Sequence, residues 1–237
     1  MVLTLQPDAQ AEAPRTASGE RHQAFAFDGV KALRELARTV DAAGPDVEAA
    51  LAWEARRVIE RASEPTVRVL GDLRVASGWL TEGQDRRVGR LLLVLLAEQF
   101  EPIPGLGGDE AHSGRVLERL ALRSAAAGST LRRLVRGDPL RALPAALRRP
   151  DLEPLFDDAH DLGGVLVAPE PAMLALSLSR MEDLFRGSTT AEAGAFADWA
   201  PTRTPQLLAR AKARAFADAR QMLNAAGGRS LFLRFEP

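Results

Sequence analysis

Arginine side chains are concentrated in two parts of the chain, and their residue type suits phosphate binding. Nine arginines lie between residues 115 and 149 against two acidic residues, and seven basic residues lie between 203 and 234 against Asp218 alone. A guanidinium group donates paired hydrogen bonds to phosphate oxygens, so these segments fit the backbone of double-stranded DNA. The predicted nucleic-acid-binding residues are Arg132, Arg133, Arg136, Arg141, Arg148, Arg149, Arg210, Lys212 and Arg214.

The segment between them, residues 150–200, is acidic, with ten acidic residues against two arginines. It contains Asp157, Asp158 and Asp161 in a D-D-x-x-D pattern. On one helical turn the first and last carboxylates share a face, which suits a Mg²⁺ ion bound to a diphosphate. Such a site also needs a second acidic motif, and the chain offers only the pair at 182–183. The three aspartates are candidate metal ligands, and the alternative is a solvated acidic turn.

The tetrapeptide D-E-A-H at 109–112 is the motif after which the DEAH-box helicases are named. In those enzymes a hydrophobic strand delivers the two acids to magnesium, and a G-x-x-x-x-G-K-[ST] loop cradles the phosphates. Here Asp109 follows Gly-Leu-Gly-Gly, and no such loop precedes it. Asp109 and Glu110 are better interpreted as first-turn acids at the positive end of a helix dipole, so the helicase hypothesis is rejected.

Other catalytic chemistry has little support in the sequence. Cysteine is absent, which removes thiolate metal sites, disulfides and cysteine nucleophiles. The histidines His22, His112 and His160 are far apart and lack metal-ligand spacing. The G-x-S-x-G sequence of serine hydrolases is also absent. We therefore expect a non-enzymatic protein without a cofactor.

The composition is that of a globular protein. Of the 237 residues 46% are hydrophobic and 27% charged, and the formal net charge of −1 conceals the segregated charges. The first twenty residues lack the basic and apolar regions of a signal peptide. The longest apolar run, 91–97, is well short of the roughly 20 residues that a membrane span needs. We therefore expect a soluble, cytoplasmic protein without a membrane partner.

Helical periodicity dominates the chain. A first helix carries apolar residues from Val30 to Val40 and ends at Gly44-Pro45, and Asp46 caps a second helix that directs Trp53 into the core. Thr81 and Gln84 form a capping box before a helix that is apolar nearly all round from Leu91 to Leu96, which indicates a central position in the core. Trp79 and Trp199 are also assigned to the core. Further helices are predicted over about 110–127, 129–136, 139–148 and 171–186, and over a long segment from the Thr204 cap to Gly227.

Short strands are predicted in three places. Two β-branched runs flank Gly71-Asp72, a dipeptide suited to a tight hairpin turn, so residues 66–76 are predicted as a β-hairpin. G-G-V-L-V-A at 163–168 and S-L-F-L-R-F at 230–235 are single strand candidates. The sequence A-A-A-G-S-T-L-R-R-L-V around Gly128 resembles the turn and second helix of a helix-turn-helix, although Gly137 falls where an apolar residue is usual.

These elements predict a mainly α fold. It is a multi-helix domain around a central apolar helix, with a short β-hairpin and minor terminal strands. The predicted organisation is a flexible tail over 1–20, N-terminal helices plus the hairpin over 21–80, compatible with a winged helix, and a helical bundle over 81–237.

Three functions remain open at this point. The first is a non-enzymatic protein, a homodimer or other homo-oligomer, that grips duplex DNA through its arginine-rich helices. The second is an interaction or adaptor protein whose basic and acidic segments pair with each other or with a protein partner. The third is a magnesium-dependent enzyme that uses the D-D-x-x-D aspartates.

Overall fold

A computed structural model describes residues 21–73, 88–107, 113–159, 162–187, 189–196 and 204–236. The chain begins with strand β1 (Arg21–Phe27), followed by helices α1 (Gly29–Ala43), α2 (Val47–Glu60), α3 (Glu64–Asp72) and α4 (Val88–Ala97), strand β2 (Glu101–Ile103), helices α5 (Ser113–Arg123) and α6 (Gly128–Arg136), strand β3 (Asp138–Pro139) and helix α7 (Ala142–Ala146). A 3₁₀ helix (Pro150–Ala159), strand β4 (Gly164–Leu166), helices α8 (Glu170–Leu184), α9 (Thr190–Gly194) and α10 (Pro205–Ala226) and strand β5 (Ser230–Glu236) complete it.

Side-chain caps fix where the main helices begin. Asp28 accepts a hydrogen bond from the Lys31 amide at the start of α1, and Asp46 accepts one from Ala49 at the start of α2. Thr204 caps α10 in the same way, and Gly227 ends that helix in the left-handed conformation. The caps predicted at Asp46 and Thr204, and the end of α10 at Gly227, are confirmed.

The five strands form one antiparallel sheet in the order β2-β1-β5-β4-β3. The longest pairing joins β1 to β5 over their full lengths, with Phe25 opposite Phe232. The sheet therefore takes strands from both sides of the boundary predicted between residues 80 and 81. The strands predicted in 163–168 and 230–235 are confirmed as β4 and β5.

Helices cover both faces of this sheet. Phe25, Phe27 and Phe232 point to one face and pack with α1 to α4, α7 and the 3₁₀ helix, where Phe100 stacks on Phe232 with ring centroids 5.0 Å apart. Strand residues on the other face, such as Ala24, pack with α5, α6 and α8 to α10. The molecule is thus a mainly helical fold with a small sheet between two helical layers.

The apolar helix predicted at the centre of the core is confirmed. In α4 every residue from Leu91 to Ala97 is buried except the half-buried Leu95. The helix packs against α2 and the 3₁₀ helix, and Gly89 lies so close to Ala159 that a Cβ there would be 2.8 Å from the Ala159 Cβ. A helix that is apolar all round needs such contacts on every side.

The hairpin predicted over 66–76 does not form, because its described part is helix α3. Ser63 caps this helix by accepting a hydrogen bond from the Thr66 amide, and Pro65 lies in its first turn. Val69 and Leu70 lie on one face of this helix and point into the core, whereas Val67 is exposed. The wing of a winged helix is therefore missing from residues 64–72.

One other sequence expectation is wrong. Trp53 is 57% exposed, because the buried stripe of α2 runs through Leu51, Ala52 and Ala55 and the indole lies on the opposite side, under the Arg57 guanidinium at 4.4 Å. Strand β1 forms over 21–27, where no element was predicted. Trp79, Trp199 and the Thr81–Gln84 capping box lie outside the described residues.

The remaining predicted helices form with changed boundaries. Those expected over 110–127, 129–136, 139–148 and 171–186 correspond to α5, α6, α7 and α8. Among the described residues, no helix combines the length and the apolar character that a membrane crossing requires.

Candidate nucleic-acid interface

Helices α5, α6 and α10 lie together on one side of the sheet. Helix α5 packs against both of the others. The Ser113 hydroxyl donates a 2.6 Å hydrogen bond to Asp218 of α10, and Gly128 approaches the Ala121 carbonyl so closely that a Cβ would clash with it. These contacts place two separate basic parts of the sequence in one helical layer.

The three helices carry a strong excess of positive charge. Their ten basic residues are opposed by two acids of their own, Glu118 and Asp218. The basic residues are Arg115, Arg119, Arg123, Arg132, Arg133, Arg136, Arg210, Lys212, Arg214 and Arg220. Such an excess attracts polyanions, unless carboxylates from neighbouring elements neutralise it.

Arg133 is neutralised in this way. Its guanidinium hydrogen-bonds both oxygens of Asp138, at 2.8 and 2.5 Å, and pairs with Glu170 at 2.5 Å. The hydrogen bonds that Arg133 donates to Asp138 raise the pKa of Arg133, while burial raises the pKa of Glu170 against the attraction of the guanidinium. Arg133 thus joins α6 to β3 and the start of α8, a structural role.

Lys212 is buried and points inward. Its Nζ pairs with Glu192 of α9 at 2.5 Å and donates hydrogen bonds to the carbonyl oxygens of Gly187 at 2.9 Å and Phe185 at 3.4 Å. An ammonium with three such acceptors has its donors satisfied. Lys212 is therefore placed to hold α10 against the segment that joins α8 and α9.

Two more cations of this layer have acidic partners. Arg136, which is exposed, pairs with Glu118 of α5. Arg220 pairs with Glu182 of α8 at 2.7 Å. Of the acids in these pairs, Glu170, Glu182 and Glu192 come from the acidic segment 150–200, so part of that segment's charge is neutralised within the chain.

Other arginines of the layer keep their charge at the surface. Arg132, Arg210 and Arg214 are exposed and form no ion pair with any residue in the described ranges. Arg123 is also exposed, and its guanidinium lies 5.0 Å from the centre of the Phe196 ring. These four form the basic surface, the name used below for Arg123, Arg132, Arg210 and Arg214.

The Glu118–Arg136 pair ties α5 and α6 together beyond their short connection. The two residues lie about two turns before and after the four-residue connection at 124–127. The resemblance of the segment around Gly128 to a helix-turn-helix stays a prediction from the sequence.

The predicted residues Arg141, Arg148 and Arg149 occur in a different layer. They flank α7, whose Leu143 packs on the opposite face of the sheet from α6. Arg149 forms a bidentate pair with Asp151, at 3.0 and 2.7 Å, which raises the pKa of Arg149 and lowers the pKa of Asp151. Six of the nine predicted residues thus lie on α6 and α10 in one helical layer, and the other three flank α7 in the opposite layer.

The acidic motif is described only in part. Asp157 is exposed near the end of the 3₁₀ helix, whereas Asp161 and residues 108–112 lie outside the described ranges. Within those ranges no three histidine, aspartate or glutamate side chains come together as metal ligands do. The nine predicted residues include none from α5, although the basic segment 115–149 covers this helix and Arg115, Arg119 and Arg123 recur every four residues and so share a helix face.

Known proteins supply no template for this arrangement. The chain matches no protein-family model, no curated protein and no solved structure.

Proposed function

We propose that the protein is a non-enzymatic DNA-binding protein that contacts duplex phosphates through the basic surface on α5, α6 and α10. The observation that carries this proposal is the position of Arg132, Arg210 and Arg214, which are exposed on two helices of one layer and form no ion pair with described residues. Guanidinium groups at such positions donate to phosphate oxygens without first losing an internal partner.

The helix that carries Arg210 and Arg214 is long enough to lie along a duplex. Helix α10 has 22 residues and is about 33 Å long, close to the length of about ten base pairs. Packed helices lie about 8–10 Å apart, so arginines on α5 and α6 are displaced sideways from those on α10. Phosphate contacts of this kind position a duplex without reading its sequence.

The proposal includes a homodimer in the cytoplasm. Helix α8, which packs beside α10, buries Leu174 and Leu178 against the core, yet Met173, Leu176 and Leu184 are 64%, 84% and 66% exposed on its outer side. A helix that is apolar on both sides is typical of a protein interface. Pairing of two copies through α8 doubles the number of basic surfaces in the particle.

The same α8 face favours a second candidate, an interaction or adaptor protein. In that account the arginines serve internal ion pairs such as Arg220–Glu182, and the binding activity resides in the outer side of α8. The two candidates differ in whether the exposed arginines have a ligand.

Fluorescence anisotropy of a labelled duplex separates them. A duplex of about 30 base pairs, roughly 100 Å long, is titrated at about 0.1 M salt with the wild type and with the triple variant Arg132→Ala, Arg210→Ala, Arg214→Ala. We expect the triple variant to bind roughly 500-fold more weakly, because each of the three lost phosphate contacts costs nearly a factor of ten at this salt.

The matched control removes the same charge from the other layer. Arg34, Arg38 and Arg56 are exposed on α1 and α2 and form no ion pair within the described part of the chain. Their triple alanine variant should bind DNA like the wild type. Equal weakening of both variants would show that only net charge matters, and the absence of binding by the wild type would leave the adaptor as the working account.

A further inference from the structure

A small groove lies between α1 and the end of α7, in the layer opposite the basic surface. It has a volume of about 210 Å³ and is lined by Val30, Leu33, Arg34, Leu147 and Arg149. The three apolar residues form most of its wall, and Val30 is 52% exposed although the adjacent Leu33 is buried. The groove therefore combines an uncovered apolar surface with two guanidinium groups.

The backbone holds one of these arginines in place. Helix α7 ends with the hydrogen bonds Arg149 N to Pro144 O, 2.7 Å, and Arg148 N to Ala145 O, 3.0 Å, which together define a Schellman motif. Arg148 occupies the left-handed position of that motif, with a φ of 59°, where glycine is usual. An arginine there costs about 1 kcal/mol of backbone strain, and it directs the following residue, Arg149, toward α1.

The two arginines of the groove, Arg34 and Arg149, differ in whether an acidic side chain already pairs with them. Asp151 accepts hydrogen bonds from the Nε and one terminal nitrogen of Arg149, and Asp41 of α1 adds a second nearby negative charge. Arg149 is thereby oriented and largely neutralised. Arg34 is exposed and has no ion pair with any described residue, so its guanidinium is the group available to an anion.

We propose that this groove binds a small aliphatic monocarboxylate. The carboxylate accepts paired hydrogen bonds from Arg34, and the alkyl chain covers Val30, Leu33 and Leu147. The single free guanidinium favours one negative charge, because Asp41 and Asp151 repel further anionic groups. The volume is below the range of drug-sized pockets, which suits a short chain.

Hexanoate is the probe, followed by amide chemical shifts in NMR. We expect saturable shifts at residues 30–34 and 147–149 with an affinity on the order of millimolar. Hexanol has the same chain without the charge, and acetate has the charge with almost no chain, so both should bind at least about fivefold more weakly. The variant Arg34→Gln should lose hexanoate affinity to a similar extent.

Arg38→Gln is the matched control, since Arg38 is exposed on the next turn of α1 but does not line the groove. It should retain hexanoate binding. The proposal is overturned if hexanoate produces no localised shifts up to about 20 mM, if the shifts occur elsewhere, or if Arg34→Gln binds hexanoate as the wild type does. The amide spectrum of each variant reports folding, so a loss of structure is distinguished from a loss of the site.

Discussion

Residue-scale contacts decide which cations of the basic layer can reach a ligand. Lys212 is surrounded by Glu192 and two backbone carbonyls, while Arg210 and Arg214, each two residues or about half a turn away on the same helix, face solvent. In a helix, residues two apart point in different directions, so neighbouring cations acquire opposite roles. Residue type alone predicts phosphate binding equally for all three.

Replacing Lys212 with methionine tests this division. We expect Lys212→Met to lower the free energy of unfolding by about 1–3 kcal/mol, because Glu192 and two carbonyl oxygens lose their donor. Urea titration measures this loss. The folded variant should bind DNA as tightly as the wild type, and a folded Lys212→Met that had lost DNA affinity would contradict the internal role.

His22 links three elements through its imidazole. The ring donates from Nε2 to the Val135 carbonyl at 2.7 Å and accepts at Nδ1 from the Leu106 amide at 3.1 Å, which requires the neutral form. Burial lowers its pKa to about 4 from an ordinary value of 6.5. The sequence showed an isolated histidine, and its structural use depends on contacts with residues more than eighty positions away.

This pKa predicts a loss of stability in weak acid. Because the folded state holds the proton less tightly than the unfolded state, the stability is fully present above pH 6.5 and falls as the pH drops toward 4. The loss reaches at most about 3 kcal/mol, since water reaches part of this residue. Urea titrations at several pH values measure it, and His22→Gln should flatten the profile in this window. An unchanged slope in that variant would assign the acid sensitivity to other groups.

At the scale of elements, local signals and burial compete. The segment that contains Gly71 has the β-branched residues and the Gly-Asp pair of a hairpin, but Ser63 and Pro65 give the start signal of a helix. The helix forms because it buries Thr66, Val69 and Leu70 on one face. Both signals are visible in the sequence, and tertiary burial selects between them.

Gly71 distinguishes the two structures in solution. In α3 a Cβ at this position meets nothing within 4 Å, so Gly71→Ala should stabilise the protein by about 0.5–1 kcal/mol through helix propensity. In a tight hairpin turn glycine adopts a positive φ, and alanine would destabilise. Thermal or urea unfolding gives the sign, and a decrease in stability would contradict the helix.

Strand β1 shows why one element was not predicted. The sequence R-H-Q-A-F-A-F lacks the alternation of polar and apolar residues, because the sheet is covered on both faces. Ala24 and Ala26 face one layer while Phe25 and Phe27 face the other, so all four are buried. The pairing with β5 joins residues about two hundred positions apart, which no local pattern reveals.

At the scale of the whole molecule, the charge segregation in the sequence acquires a geometry. The helical layer of α5, α6 and α10 collects basic residues from two separate segments, and acids from 150–200 neutralise Arg133, Lys212 and Arg220. The type of the predicted binding residues and the excess charge were accessible from the sequence. The separation of paired from exposed arginines was not, because the pairs with Glu170, Glu182 and Glu192 depend on how α8 and α9 pack against this layer.

The apolar outer side of α8 predicts the oligomeric state. If two copies associate through this helix, Leu176→Glu should convert a dimer to a monomer, because it introduces a charge into the apolar contact. Light scattering coupled to gel filtration gives the mass directly. Ser179→Glu is the control, since Ser179 is exposed on α8 but is not one of its apolar positions. A monomeric wild type at micromolar concentration would remove the dimer from the account.

The most direct measurement of the central claim is the salt dependence of DNA binding. The affinity of the wild type and of the Arg132, Arg210, Arg214 triple alanine variant is measured over a range of salt concentrations. The logarithm of the affinity should fall linearly with the logarithm of the salt concentration, and the slope should be shallower in the variant by roughly 3, since three phosphate contacts release about that many fewer counterions. Equal slopes for the two proteins would show that these arginines do not contact phosphates, and would contradict the proposed function.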